Sequence, residues 1–176
     1  LKEVYCGLDC QMLLYLFSLT RDGSGRFTGA EPAGVLYLLA DPAPENTTRA
    51  NAARSVEYKL DGLVRDEQKL FRAMDADETG RYLPFSYLRG VPSPYQKDKR
   101  ADSAKLDRIR LHLDDLVTRM GEQLYGGQIA AEPLVTGRSP CLWCDYSFIC
   151  CHENGIGERA LDAPAKPFEV PETPPE

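Results

Sequence analysis

Three cysteines within ten residues, Cys141-Leu-Trp-Cys144-Asp-Tyr-Ser-Phe-Ile-Cys150, constrain this chain more than any other feature. A two-residue gap lets two thiolates reach one metal centre, and a third thiolate after five further residues can close round the same centre. The set is one ligand short of a complete zinc or 4Fe–4S site. Cys151 is a poor fourth ligand, since adjacent side chains diverge. His152 is better placed, and a ligand from elsewhere is better still. The plain alternative is three reduced structural cysteines. Cys6 and Cys10 lie near the start of the chain. No basic segment followed by an apolar stretch and a small-residue cleavage site marks a secretory signal, so this clustering favours metal over disulfides. Trp143, Tyr146, Phe148 and Ile149 alternate with the thiols and are expected to shield a centre there, or to form ordinary local core.

The rest of the composition fits a single globular α/β domain with a tail. Of 176 residues, 43% are hydrophobic and 27% charged, which excludes collagen-like, wholly disordered and disulfide-knot classes. The longest apolar stretch, Met12-Leu-Leu-Tyr-Leu-Phe17, is far below the ~20 residues that span a bilayer, so no membrane role is expected and the chain reads as soluble and cytoplasmic. The formal net charge of −6 argues against a freestanding, nonspecific nucleic-acid binder, although local sign matters more than the sum. Residues 89–110 carry seven basic side chains against three acids, whereas residues 126–176 carry three against eight. Lys97, Lys99 and Arg100 in the basic stretch are therefore candidate contacts to a phosphate backbone, with a solvated charged loop as the bland alternative.

Periodicity orders the elements. Leu8, Met12, Tyr15, Leu16 and Leu19 recur at helical steps, and Asp22-Gly-Ser-Gly25 ends that helix. Residues 33–40 read as a buried strand and Ser55–Leu60 as a second, after which Asp61-Gly62 turns into a short helix from Glu67 to Met74. A turn follows over Asp75–Gly80. Tyr82–Leu88 reads as an edge strand, since Pro84 cannot donate to a central ladder, and residues 89–101 as a basic loop. The strongest helix spans 103–125, with Leu106, Ile109, Leu113, Leu116, Val117, Met120 and Leu124 in one stripe, a Ser103 or Asp102 cap and a Gly126-Gly127 stop. His112 falls on its polar side and reads as a bystander. Five prolines after Glu158 mark residues 159–176 as an acidic, extended, disordered tail.

Gln11 and Tyr15 stand four residues apart, which puts an amide and a phenol on one helix face. Such groups contact phosphate or orient a neighbouring catalytic side chain. Equally, they are what a core edge with one satisfied hydrogen bond looks like.

Together, Gly7-Leu-Asp-Cys-Gln11-Met-Leu-Leu-Tyr15-Leu16 and the Cys-x2-Cys-x5-Cys segment resemble the Q-x-x-x-Y helix and iron–sulfur motif of RecB-like PD-(D/E)XK nucleases. Two clustered groups are candidates: the AddB-like component of AddAB-type helicase–nucleases and the CRISPR-associated Cas4 nucleases. The separation of 130 residues from Gln11 to Cys141 fits the AddB-like group better. So do Tyr58–Val64, Ala73–Asp75 and Gly127–Pro133. The resemblance covers about residues 1–153.

The resemblance implies a partial PD-(D/E)XK domain over residues 1–158, a mixed sheet flanked by helices, from a Mg²⁺-dependent DNA exonuclease acting in double-strand break repair. It implies DNA and an A-type helicase–nuclease subunit as partners, and a nucleoid-associated, cytoplasmic setting. Gln11 and Tyr15 take the place of the family's active-site helix. Cys141, Cys144 and Cys150 take the place of three of its four 4Fe–4S ligands, the fourth lying far upstream. The family's metal-binding acids and D/E-x-K precede the Q-x-x-x-Y helix, so they are expected before Leu1, and the chain alone is expected to be inactive. Glu57-Tyr-Lys59, with Asp41 sixteen residues earlier, spells a similar pattern in the wrong order. It reads as a chance match on the solvent face of a strand. Rival readings are a noncatalytic, metal-stapled DNA- or protein-binding module derived from such a nuclease and, more distantly, an electron-transfer protein.

Overall fold

Gly34 and Gly62 set the spacing of the main sheet. In the computed structural model, which describes residues 1–21, 26–38, 60–153 and 155–170, strand β1 (Gly34–Leu38) runs antiparallel to β2 (Leu60–Arg65). Gly34 (φ 146°) opposes Val64 and Gly62 (φ 141°) opposes Leu36. A Cβ at Gly62 would collide with the Val35 carbonyl, and one at Gly34 with the Leu63 carbonyl. Only glycine tolerates both that backbone conformation and that proximity. This corrects the reading of a strand that ends at Leu60, with Asp61-Gly62 leading on to the helix. The same glycine that signals a turn in sequence here lies inside a strand, where another backbone comes close. The earlier part of the expected second strand, including Glu57 and Lys59, lies outside the described residues, as does Asp41.

The described chain divides into two compact units, Met12–Asp107 and Leu1–Gln11 with Arg108–Glu176. In the first, β2 is the central strand: it also pairs in parallel with β5 (Arg100–Ala101), giving the mixed order β1-β2-β5. Helix α3 (Gln68–Met74) follows β2. Val64, Phe71, Leu83 and Phe85 form a buried cluster against which Leu36, Leu70, Met74 and Tyr87 pack. The Phe71 and Phe85 rings meet edge to face at 4.9 Å, the arrangement aromatic quadrupoles prefer. After α3, the buried Asp75 carboxylate accepts from the Thr79 hydroxyl at 3.1 Å and from the Gly80 amide, so the expected turn is held by its own first residue.

Residues 82–86 do not form the expected edge strand. Leu83, Pro84 and Phe85 are all buried in succession, where a half-buried strand would alternate. Pairing is limited to β3 (Tyr87–Leu88) and β4 (Val91–Pro92), joined by Arg89 and Gly90 at φ 54° and 78°. Positive φ at both central residues is the mark of a mirror-image hairpin turn. The expected basic loop is thus partly regular: it contains that hairpin, a 3-10 segment over Pro94–Lys99 capped by Ser93, and β5.

Helix α2 (Gln11–Arg21) buries Leu13 and Phe17, while Met12, Tyr15 and Leu19 are exposed. The stripe expected from sequence was the wrong one. Residues 12–17 are apolar almost all round, so several i,i+4 faces can be drawn and only packing selects among them.

In the other unit, a single helical turn, α1 (Lys2–Tyr5), precedes Gly7 at φ 89°. Helix α4 spans Ser103–Tyr125, as expected, with its residues from Arg108 on in this unit. The Asp102 carboxylate accepts from the Lys105 amide at 2.6 Å, and the C-terminus closes with the Gly127 amide on Leu124 and the Gln128 amide on Gln123, Gly127 sitting at φ 77°. Its stripe is buried at Leu106, Ile109 and Leu113 and emerges at Val117, Met120 and Leu124. Strands β6 (Leu134–Val135) and β7 (Arg159–Ala160) pair in parallel, and α5 covers Ser147–Cys150. No helix among the described residues is long and apolar enough to cross a membrane.

Replacing Gly62 with Ala forces either the φ or the β1–β2 spacing to change and is expected to destabilise the chain by roughly 2–4 kcal/mol. Urea unfolding followed by far-UV circular dichroism measures this. A midpoint unchanged from the parent would show that the strands do not approach as described.

Candidate functional site

Gln11 is the first residue of α2 and Tyr15 lies one turn on, both on the exposed side of the helix. Burial of Leu13 and Phe17 on the other side fixes the helix rotation and leaves this amide and phenol facing outward. Such a face can present one hydrogen-bonding amide and one hydroxyl to a polyanion or to a neighbouring carboxylate. Ser18, one turn beyond Tyr15, is exposed on the same helix and adds a hydroxyl that spacing arguments had passed over.

The cysteine segment begins at Ser139, whose hydroxyl accepts from the Cys141 amide at 3.3 Å and starts a 3-10 turn over Pro140–Trp143. The Cys144 amide then bonds the Cys141 carbonyl, and the Cys150 amide bonds that of Tyr146. Cys151 ends α5 in the left-handed conformation (φ 55°). All six cysteines are free thiols; Cys141 is half-buried, and Cys144, Cys150 and Cys151 are exposed. Among the described residues, no group of three or more His, Cys, Asp or Glu side chains converges as metal ligands would. In kind and spacing the donors suit a thiolate-bound centre, and the His152 Nε2 beside them is buried with no hydrogen-bond partner among the described residues. Their present positions do not converge on one. Trp143, Tyr146, Phe148 and Ile149 are between 63% and 80% exposed, so they do not form a shield in this conformation.

Two of the three candidate phosphate contacts are already paired. Lys99 Nζ lies 2.6 Å from Asp61, and Arg100 donates to both oxygens of Asp66 at 3.1 and 3.2 Å while its guanidinium sits over the Phe85 ring. Lys97 is exposed on the 3-10 segment. Arg65 in β2, which the sequence reading missed, bridges Glu31 and Glu67. Both hydrogen bonds, that of Glu31 above all, favour its charged form. It lines a shallow open pocket with Glu31, Pro32, Ser103, Leu106 and Asp107. No charge-counting signal distinguishes Arg65, because Glu31, thirty-four residues earlier, becomes its neighbour only when β1 and β2 pair.

Cys10 is raised above the ordinary thiol range, first by burial and then by the Asp9 carboxylate. It is thus kept in its thiol form, the opposite of what a nucleophile or ready metal ligand needs.

The chain is similar to known proteins along most of its length. Residues 1–151 match the model of the PD-(D/E)XK nuclease superfamily. The chain is 28% identical over 170 residues to the B-type subunit of the ATP-dependent helicase/deoxyribonuclease of Thermoanaerobacter sp. (strain X514), covering 89% of this chain and 14% of that protein. It is 32% identical over 173 residues to the corresponding protein of Symbiobacterium thermophilum (92% and 15%). For that of Bacillus subtilis (strain 168) the identity is 29% over 173 residues (90% and 14%). The chain therefore spans only 14–15% of the length of these curated relatives.

Asp61 sits below the ordinary carboxylate range, chiefly through its hydrogen bond from Lys99; burial opposes this, and the Gly62 amide and the Lys99 charge add to the lowering. A depressed folded-state value contributes stability above the unfolded-state value and loses it as pH falls through the folded one. In the Lys99→Met variant, the Asp61 side-chain carbon resonance is expected to titrate at higher pH than in the parent. An unchanged titration would mean that the pair does not form.

Proposed function

This chain belongs to the PD-(D/E)XK nuclease superfamily, and we propose that it forms the later part of the nuclease domain of an AddB-like helicase–nuclease subunit. The observation that carries this reading is the Gln11/Tyr15 pair on the outward face of a helix whose other face is locked by Leu13 and Phe17. In the intact parent the reaction is phosphodiester hydrolysis on DNA, with Mg²⁺ supplying charge stabilisation at phosphate. The described residues offer no converging set of carboxylates for that ion. In this reading the Gln11 amide and Tyr15 hydroxyl stand beside the ion, where they hold phosphate oxygens and orient the acids that bind the metal.

Cys141, Cys144 and Cys150 are proposed as three ligands of a 4Fe–4S cluster, the fourth thiolate coming from outside residues 1–176. When bound, the cluster supplies a covalent tie between distant parts of the chain. Their soft thiol donors and C-x2-C-x5-C spacing support this assignment. An A-type helicase–nuclease subunit and DNA are the proposed partners, and a cytoplasmic, nucleoid-associated role in break repair is the proposed setting.

The test uses the full-length protein that carries this chain, with its partner subunit. Gln11→Ala and Tyr15→Phe are each expected to lower kcat for Mg²⁺-dependent degradation of single-stranded DNA by about 10- to 100-fold, with KM little changed. Full activity in both variants would remove Gln11 and Tyr15 from the active site. Cys141→Ala, Cys144→Ala and Cys150→Ala are each expected to lower the iron and sulfide content of the purified protein, and unchanged content in all three would remove the cluster assignment. The 176-residue chain alone is expected to show no nuclease activity. A Mg²⁺-dependent activity that disappears in the Glu57→Gln/Lys59→Ala double variant would instead place the acidic site within this chain.

A further inference from the structure

We propose that the second half of α4 is a docking surface for the part of the parent chain that precedes Leu1. The inference rests on the reading of residues 1–176 as the later part of a longer nuclease subunit. The apolar stripe of α4 keeps one period along the helix, yet its two halves differ. Leu106, Ile109 and Leu113 are buried, whereas Val117, Met120 and Leu124 on the same stripe are 47%, 49% and 76% exposed. From Val117 to Tyr125 the helix is exposed at every residue. Helices in water are held chiefly by the packing of an apolar face, and nine residues are too few to persist by propensity alone. Gly121 lowers that propensity further. A stripe that continues past its last buried residue, Leu113, calls for a segment to cover it.

Area and attachment say which segment. Nine residues of helix are about 14 Å long. Three side chains along that length present far less than the about 800 Å² per partner that a stable bimolecular interface needs. A second copy of the chain is therefore disfavoured. A tethered segment, at an effective concentration of roughly millimolar, needs no such area. The attachment point lies beside α4. His112, expected to be a bystander, stacks on Tyr5 of α1 at 4.7 Å, and its Nε2 donates to the Tyr5 carbonyl at 2.9 Å. A Cβ added at Gly7 would lie 3.3 Å from both Leu116 and Met120. Chain that enters α1 through Leu1 thus arrives next to the helix it is proposed to cover. The stretch after the cysteines, expected from composition to be disordered, is seated elsewhere on α4. The Phe168 ring lies 5.3 Å from His112 and 5.7 Å from Tyr5, and its carbonyl accepts from Arg108 Nε at 2.7 Å. The six residues after Val170, Pro-Glu-Thr-Pro-Pro-Glu, hold no large apolar side chain to offer.

The test uses the full-length protein with its partner subunit, and none of its readouts depends on DNA cleavage. With a photoreactive benzoylphenylalanine in place of Leu124, illumination is expected to give cross-links to residues that precede Leu1 in the same chain. A mixture of isotopically light and heavy protein separates these from links between copies. In Leu124→Glu, amide hydrogen exchange over Val117–Tyr125 is expected to speed by roughly tenfold or more. Leu111→Glu, at an exposed leucine on the opposite side of α4, is expected to leave that exchange unchanged. The docking surface is overturned by cross-links only to a second copy, to the partner subunit or within residues 1–176, by none at all, or by parent-like exchange in Leu124→Glu. If Gln11→Ala and Tyr15→Phe cleave DNA as the parent does, the nuclease reading of α2 fails, and the cross-links still decide the docking surface.

Discussion

The close approach of β1 to β2 is the constraint on which the sheet-bearing unit depends. Because Gly34 and Gly62 carry no Cβ, the two backbones pair along the whole of β1, and β2 remains free on its other side to pair with β5. Val64 then lies on the strand flanked from both sides and is buried with Phe71, Leu83 and Phe85. The same pairing brings Arg65 to Glu31, Asp61 to Lys99 and Asp66 to Arg100. The basic side chains counted between residues 89 and 110 are thus partly neutralised by β2 and its flank. Exposed pairs of this kind contribute little stability each. Their larger effect is on the surface potential, since a lysine or arginine paired with a carboxylate is a weaker attractor of phosphate than its charge in the sequence implies.

A second constraint governs the other unit, where the short helical turn α1 is held against α4. Gly7 in the left-handed conformation, the Tyr5–His112 stack at 4.7 Å and the Phe168 ring 5.7 Å from Tyr5 together fix that turn. The cysteine segment is part of the same continuous stretch of chain.

Sequence reading served well where one physical signal had no competitor. Helix α4 was legible to the residue because an uninterrupted apolar stripe, an acidic cap and a Gly-Gly stop agree on its ends. The family was legible because Gln11, Tyr15 and the cysteines are few, polar or soft, and fixed in spacing. Reading failed where the same residue serves two purposes. Gly62 looks like a turn and is a close contact between strands. Helix α2 is apolar on several faces, so its buried pair, Leu13 and Phe17, could not be chosen without packing partners. Leu83-Pro84-Phe85 looks like an edge strand because each residue is apolar, yet the chain bends and buries all three. His112, read as a bystander, stacks on Tyr5, and both rings meet that of Phe168, more than fifty residues from His112; no local pattern announces such a meeting. A proline-rich, acidic composition concealed the one aromatic residue that anchors the tail.

The central claim is that the outward face of α2 stands at the metal- and DNA-binding centre of a nuclease. Localised oxidative cleavage tests it most directly. Fe²⁺ is substituted for Mg²⁺ in the full-length protein, ascorbate and peroxide are added, and the positions of backbone scission are mapped by mass spectrometry. The account predicts cuts clustered around Gln11–Tyr15, suppressed by excess Mg²⁺ and persisting when Cys141, Cys144 and Cys150 are replaced. Cuts confined to other parts of the protein, or cuts near α2 that Mg²⁺ does not suppress, would contradict it.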